Sequence, residues 1–222
     1  MAQSTRIAFI CKDNKLYQEY YTFEFFNGFA LSQKRKSIES FHSVIKKQSN
    51  IDKILEISRK NENELGIKLS AFNLMITLNG KSFPVECIYQ SSKVFGNQQF
   101  KECLDFTPKD AKNYVKEKMY NEKLILTEFN LLGVSFPLEP KSYFYDYLYI
   151  LALAQNHELA HQIKEYDCFT DIEYNHKKQF ASQARSCALY KYLELNNLLD
   201  DYLKSPNKYL TLYENIQEKT LL

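Results

Sequence analysis

Tryptophan is missing from this chain altogether, and glycine supplies only five of its 222 residues. So little glycine excludes a Gly-rich phosphate cradle: neither GxGxxG nor GxxxxGK[ST] occurs, and any phosphate must be held by side chains or helix N-termini. No apolar run reaches 18 residues. The longest, Tyr143 to Ala154, is broken by Asp146, and the first residues lack the apolar stretch of a signal peptide, so a cytoplasmic protein with no membrane partner is expected. Cys11, Cys87, Cys103, Cys168 and Cys187 are odd in number and never form CxxC, which argues against a disulfide framework and a structural zinc site. Excess charge is missing too. Twenty-nine basic residues face 27 acidic ones, a net +2, which excludes a protein that coats nucleic acid by charge alone. The local basic runs, Lys34-Arg35-Lys36, Lys46-Lys47, Arg59-Lys60 and Lys177-Lys178, read as solvated faces.

What is plentiful is aromatic residues, 17 Tyr and 16 Phe, in a chain long enough to bury a large core. The pattern predicts one α+β domain over residues 1–222, predominantly helical, with a small N-terminal β element and a hairpin. Thr5 to Cys11 and Tyr20 to Phe26 are rich in β-branched and aromatic residues and read as strands. Asn27-Gly28 then turns, and Ser32 is placed to cap a helix running through Lys34 to Lys47. Ile51 to Ser58 fits either strand or helix. Asn79-Gly80, between Leu74–Leu78 and Lys81–Phe83, suits a type I′ hairpin, and Pro84 suits the first turn of the next helix. Thr107-Pro108 supplies an N-cap and N1 pair. Further helices are expected over Tyr143–Gln155, Glu158–Tyr166, Lys178–Leu195 and Pro206–Glu218, with Cys168 to Asn175 a connecting loop or short strand.

The segment from Pro84 to Phe95 places a carboxylate, an amide and an amine at steps of four and three residues. On a helix, Glu86, Gln90 and Lys93 share an arc of about 60° opposite Val85, Ile88 and Tyr89. That face either lines a polar pocket or is a solvated face with one charge pair. His157-Glu158-Leu159-Ala160-His161 matches HExxH, in which two imidazoles one turn apart hold zinc. The longer HExxHxxGxxH pattern fails, with Lys164 and Asp167 at its later positions. Glu194 is a distant candidate third ligand that nothing marks. A zinc hydrolase is therefore the weaker reading, and no metal or cofactor is expected. No GxSxG elbow occurs, and His42 and His176 have no partners nearby in sequence.

Four segments in order resemble the NADAR family, in particular its antitoxin branch encoded beside DarT-type DNA ADP-ribosyltransferases (the DarG-type NADAR proteins). They are Phe26-Asn27-Gly28-Phe29 with Gln33-Lys34; Leu55-Glu56-Ile57-Ser58-Arg59-Lys60 leading to Leu65-Gly66 and Leu69-Ser70-Ala71-Phe72-Asn73; Val85-Glu86-x3-Gln90-x2-Lys93-Val94-Phe95; and Phe169-Thr170-Asp171-Ile172-Glu173-Tyr174-Asn175 with Gln183-Ala184-Arg185. Phe144-Tyr145-Asp146-Tyr147-Leu148-Tyr149 looks similar as well, and the fit covers residues 20–195. Where relatives often carry Trp, this chain has Phe26 and Tyr147.

The resemblance implies hydrolysis of the N-glycosidic bond between ADP-ribose and guanine in DNA, reversing a toxin's lesion, with single-stranded or flipped-out substrate. Cleaving that bond builds positive charge at the anomeric carbon, which a carboxylate stabilises. Glu86 and Asp171 are the candidates, one to assist the leaving amine and the other to orient water or ribose hydroxyls. Lys93 is either a nucleophile that forms a Schiff base with ring-opened ribose or an electrostatic partner. Gly28, Ser70, Phe72, Asn73, Gln90, Tyr147 and Gln183 are the expected substrate contacts. A DarT-type toxin is the candidate direct partner. A module that binds ADP-ribosylated nucleic acid or the toxin without turnover is the alternative.

Overall fold

The structure is a computed structural model that describes residues 2–204 and Leu210. In chain order it opens with β1 (Ala2–Lys12), β2 (Lys15–Phe25), α1 (Leu31–Ser49), β3 (Ile54–Glu56) and α2 (Glu64–Lys68). The hairpin β4 (Met75–Leu78) and β5 (Lys81–Pro84) leads into α3 (Val85–Ser91), β6 (Lys93–Phe95) and β7 (Gln98–Gln99). A 3-10 turn over Lys101–Asp105 precedes α4 (Pro108–Asn121), β8 (Glu128–Leu131), β9 (Val134–Phe136) and α5 (Tyr143–Gln155). The last described elements are α6 (His157–Ile163), β10 (Cys168–Thr170), α7 (Gln183–Leu195) and α8 (Leu199–Lys204). The helix expected over Pro206–Glu218 lies, but for Leu210, outside the described residues. The α+β class is as expected. The chain divides into two compact units, Met1–Ser70 with His157–Leu222, and Ala71–Asn156.

In the first unit a four-stranded sheet runs β2-β1-β10-β3. β1 and β2 pair along their whole lengths, from Ala2↔Phe25 to Lys12↔Lys15, across Asp13-Asn14. Both turn residues have positive φ (51° and 56°), which Asp and Asn tolerate and a type I′ turn requires. The strands are therefore longer than expected and form one continuous hairpin. β10 runs antiparallel to β1 and parallel to β3, which resolves the ambiguous Ile51–Ser58 segment as a strand. α1 buries Ile38, Phe41 and Ile45, at steps of three and four, against Ile10, Tyr21, Phe23 and Cys168. Phe41 stacks on Phe23 with centroids 4.6 Å apart. Ser32 does not cap this helix: Ala30 occupies the N-cap and offers no side-chain acceptor.

In the second unit, Asn79 and Gly80 carry positive φ (50° and 78°) in the expected hairpin turn. A second sheet, β7-β6-β8-β9, is antiparallel throughout and was not expected from the sequence. Behind it α5 buries nine of its thirteen residues. Phe144 stacks on Phe129 at 4.6 Å and packs against Phe136 at 4.9 Å. α4 is capped as expected, the Asp110 N–H donating to Thr107 Oγ1 with Pro108 following the cap. All five cysteines are buried free thiols. Among the described residues no helix is long and apolar enough to cross a membrane.

Candidate functional site

The polar constellation of the second unit begins where Pro84 fixes an extended N-cap for α3 (φ −61°, ψ 142°) instead of entering its first turn. The Glu86 N–H donates to the Ala71 carbonyl (2.9 Å) and the Val85 N–H to that of Leu74, tying the helix start to the preceding loop. With Val85, Cys87 and Ile88 facing the core, Glu86 and Gln90 stack one turn apart and are themselves buried. The Gln90 amide donates to Glu86 Oε1 at 2.8 Å, and Lys93 Nζ donates to Gln90 Oε1 at 2.8 Å.

Lys93 is not on the helix: α3 ends at Ser91, Ser92 caps it, and Lys93 opens β6, paired with Phe129. Its long side chain still reaches back one turn, so the three residues meet although they do not share one helical face. The ammonium also lies 4.9 Å from the centroid of the Tyr89 ring, which is itself held by Phe129 and Tyr145.

Electrostatically, Gln90 acts as a spacer. It binds the carboxylate with its nitrogen and the amine with its oxygen, so Glu86 and Lys93 form no ion pair. Burial then outweighs attraction, and the Lys93 pKa is lowered to about 8; Glu86 opposes the shift and Lys112 adds to it. Lys112, half exposed, lies 3.9 Å from Glu86 Oε1 and 5.9 Å from the Phe72 ring.

In the first unit Asp171 is buried at the end of β10, and α7 begins only at Gln183, not at Lys178 as expected. Asp171 Oδ1 accepts the Glu173 N–H at 3.1 Å, and the Gln183 side chain bonds to the same carboxylate while donating to the Ile57 carbonyl at 2.6 Å. A second buried carboxylate holds the residues on both sides of it, one by its hydroxyl and one by its backbone N–H. Glu56, on β3, accepts the Thr170 hydroxyl (2.6 Å) and the Ile172 N–H (2.8 Å), with Ser58 as a third donor. Burial raises the pKa of both acids, the Glu56 charge raises that of Asp171 further, and Glu173 adds to the rise in each. One proton is thus retained on this pair well above the usual carboxylate range.

The Thr170 hydroxyl, donating to Glu56, accepts from His42 Nε2 at 2.8 Å. Burial lowers the His42 pKa to about 4, so its ring is neutral. His42, Glu56, Arg35, Lys60 and Asn63 line a cleft of about 180 Å³ along α1. Gly66 makes the close packing possible, because a Cβ there would lie 2.0 Å from the Glu56 carbonyl oxygen.

The remaining expected contacts are dispersed. Gly28 lies in the loop before α1 with φ +131°, a conformation only glycine takes readily. Ser70 is buried, and its hydroxyl finds no hydrogen-bond partner among the described residues. Phe72 is half-buried and Asn73 exposed. Tyr147 packs on Phe136, centroids 5.1 Å apart. His157, Glu158 and His161 are exposed on α6, and Glu194 pairs with Lys164 at 2.5 Å. Among the described residues no group of three or more His, Cys, Asp or Glu is arranged to hold a metal ion.

Glu56, Thr170 and Tyr89 were missed as site residues. Glu56 did carry a signal: a carboxylate between Leu55 and Ile57 in a strand buried on both faces has to be partnered. A family profile described as DarT1-associated NADAR antitoxin matches residues 4–221. No curated protein matches the chain.

Proposed function

Since the chain belongs to the family of DarT1-associated NADAR antitoxins, we propose that it is an N-glycosidic hydrolase that removes ADP-ribose from guanine bases in DNA. In this reading it is an antitoxin that reverses the lesion made by a DarT-type DNA ADP-ribosyltransferase. The observation that carries the proposal is the Lys93 amine, held by an amide and an aromatic ring with its pKa lowered to about 8. At pH 7.5 about a quarter of such amines are neutral, against about 0.1% of free lysines.

Lys93 Nζ attacks the anomeric carbon. The bond from that carbon to the guanine amine breaks, and guanine departs with one added proton. The ribose ring then opens, leaving a Schiff base, and water cleaves it to release ADP-ribose and restore the amine. Glu86 stabilises the positive charge that builds on the sugar carbon. Asp171, kept protonated by burial beside Glu56, is the acid for the leaving amine. Gln90 orients Lys93. Gly28, Ser70, Phe72, Asn73, Tyr147 and Gln183 are assigned to ribose, diphosphate or base, on a single-stranded or flipped-out guanine.

The test is incubation of the protein with an oligonucleotide carrying ADP-ribosyl-guanine, with and without borohydride. Released ADP-ribose, and a borohydride-trapped adduct at Lys93, support the proposal. Turnover without an adduct removes the Schiff base and leaves Lys93 an electrostatic role. A stable complex without turnover identifies a binding antitoxin instead.

A further inference from the structure

The loop before α1 ends in a side chain with no place in the fold. Phe29 is entirely exposed, with a relative accessibility of 104%. The base of the loop is fixed: the buried Ser37 hydroxyl accepts the Phe26 N–H at 3.0 Å and donates to the Gln33 carbonyl at 3.0 Å. Gly28, at φ +131° and with room for a Cβ only in contact with Gln33, turns the chain so that Phe29 projects from this fixed stem.

Positive charge follows at once. α1 has no acidic residue in its first turn and no side-chain cap, leaving the positive end of a 19-residue helix dipole open. Lys34, Arg35 and Lys36 come next. Lys34 is paired with Glu173 (3.2 Å) and Arg35 with Glu62 (3.1 Å), whereas Lys36 is exposed and pairs with no carboxylate among the described residues. An exposed ring that shortly precedes a basic run in the chain, with Lys36 left without a carboxylate, supplies the two parts that stack a base and hold its phosphate.

We propose that Phe29 stacks on an unpaired base next to the modified guanine, so that the loop and the first turns of α1 grip single-stranded DNA. This deepens the hydrolase reading and rests on it for the identity of the strand.

The test compares wild type, Phe29→Ala and Phe29→Trp on two substrates: the ADP-ribosylated guanine nucleoside, and a single-stranded oligonucleotide with the same lesion beside 2-aminopurine. Phe29→Ala is expected to raise KM for the oligonucleotide about 5- to 100-fold. It should leave nucleoside hydrolysis unchanged and abolish the fluorescence change of 2-aminopurine on binding. Phe29→Trp should behave as wild type. Equal KM and equal fluorescence change in wild type and Phe29→Ala overturn the proposal, as does an equal loss on both substrates. If wild type hydrolyses neither substrate, the hydrolase reading fails on its own, and the fluorescence change with wild type against Phe29→Ala still decides the stacking.

Discussion

Replacing Gln90 by Glu is the sharpest test of how the lysine is held. The change is isosteric, but it puts a carboxylate where an amide oxygen now accepts from Lys93 Nζ at 2.8 Å. It also removes the donor to Glu86, so Glu86 and the new acid become a like-charged pair, and one of them takes up a proton. The negative charge that remains is then in direct contact with the ammonium instead of one side chain away. A hydrogen bond to a charged group contributes about 1.5–3 kcal/mol, which stabilises the protonated amine by a factor of about 10–100. With a starting pKa of about 8, the neutral fraction at pH 7.5 falls from about a quarter to about 0.3–3%. Single-turnover rates should drop in the same proportion at pH 7.5 and recover most of the loss by pH 9.5–10. Acylation of Lys93 by an amine reagent, followed by peptide mass spectrometry, reads the same ionisation without relying on turnover. A variant whose rate loss is the same at every pH, or whose acylation still inflects near pH 8, refutes the spacer argument and leaves Gln90 a substrate contact only.

Asp171→Asn should separate stability from activity. Burial raises the folded pKa of Asp171 above its unfolded value, so its contribution to stability is fully present below the ordinary carboxylate range and is lost as pH rises through the folded pKa. Asparagine carries no such penalty and can still accept the Glu173 N–H, so the Tm of the variant relative to wild type should climb between pH 4 and pH 8 while hydrolysis disappears. A Tm difference that does not change with pH rejects the retained proton. Gly66→Ala reverses the usual helix rule, in which alanine is favoured over glycine by about 0.5–1 kcal/mol. Its Cβ would lie 2.0 Å from the Glu56 carbonyl oxygen and 2.2 Å from Asn61 Nδ2, which forces α2 away from β3. A loss of about 3 kcal/mol in urea unfolding is expected; a stabilised variant would show that this packing yields.

The elements readable from sequence are those whose signal is local. Asn79-Gly80 marks its own turn, Thr107-Pro108 its own helix start, and α5 keeps its expected limits because thirteen mostly apolar residues lie between Ser142 and Asn156. The second sheet carries no such mark. Its strands have two to four residues, and β6 finds its partner β8 only after the 3-10 turn and α4 have intervened. β1 extends past Thr5–Cys11 at both ends because Ala2, Gln3, Ser4 and Lys12, small or polar and outside the buried run Ile7 to Cys11, carry no strand signal of their own and are held by pairing with β2. The helix expected from Lys178 failed for a different reason. A single turn closes on the Asn175 carbonyl, from Lys178 and Gln179, and goes no further. Periodicity cannot distinguish that turn from the start of α7.

At the site, spacing predicted the contact and misassigned the element. Steps of four and three put Glu86, Gln90 and Lys93 together, and they do touch, but the last link depends on the reach of a lysine that has already left the helix. The chain break matters chemically. On a continuous helix Lys93 would sit seven residues from Glu86, close enough to move towards it on the same face. From the first position of β6 it is held by its strand pairing with Phe129, and Gln90 fills the space between amine and carboxylate. Burial can therefore depress the amine's pKa without an ion pair restoring it. The first unit shows the opposite device. Burial raises the pKa of both Glu56 and Asp171, and the charges of Glu56 and Glu173 raise that of Asp171 further, so a proton stays on the pair although Arg6 acts on Asp171. A neutral amine and a protonated carboxyl are the two states that N-glycoside cleavage through a Schiff base requires.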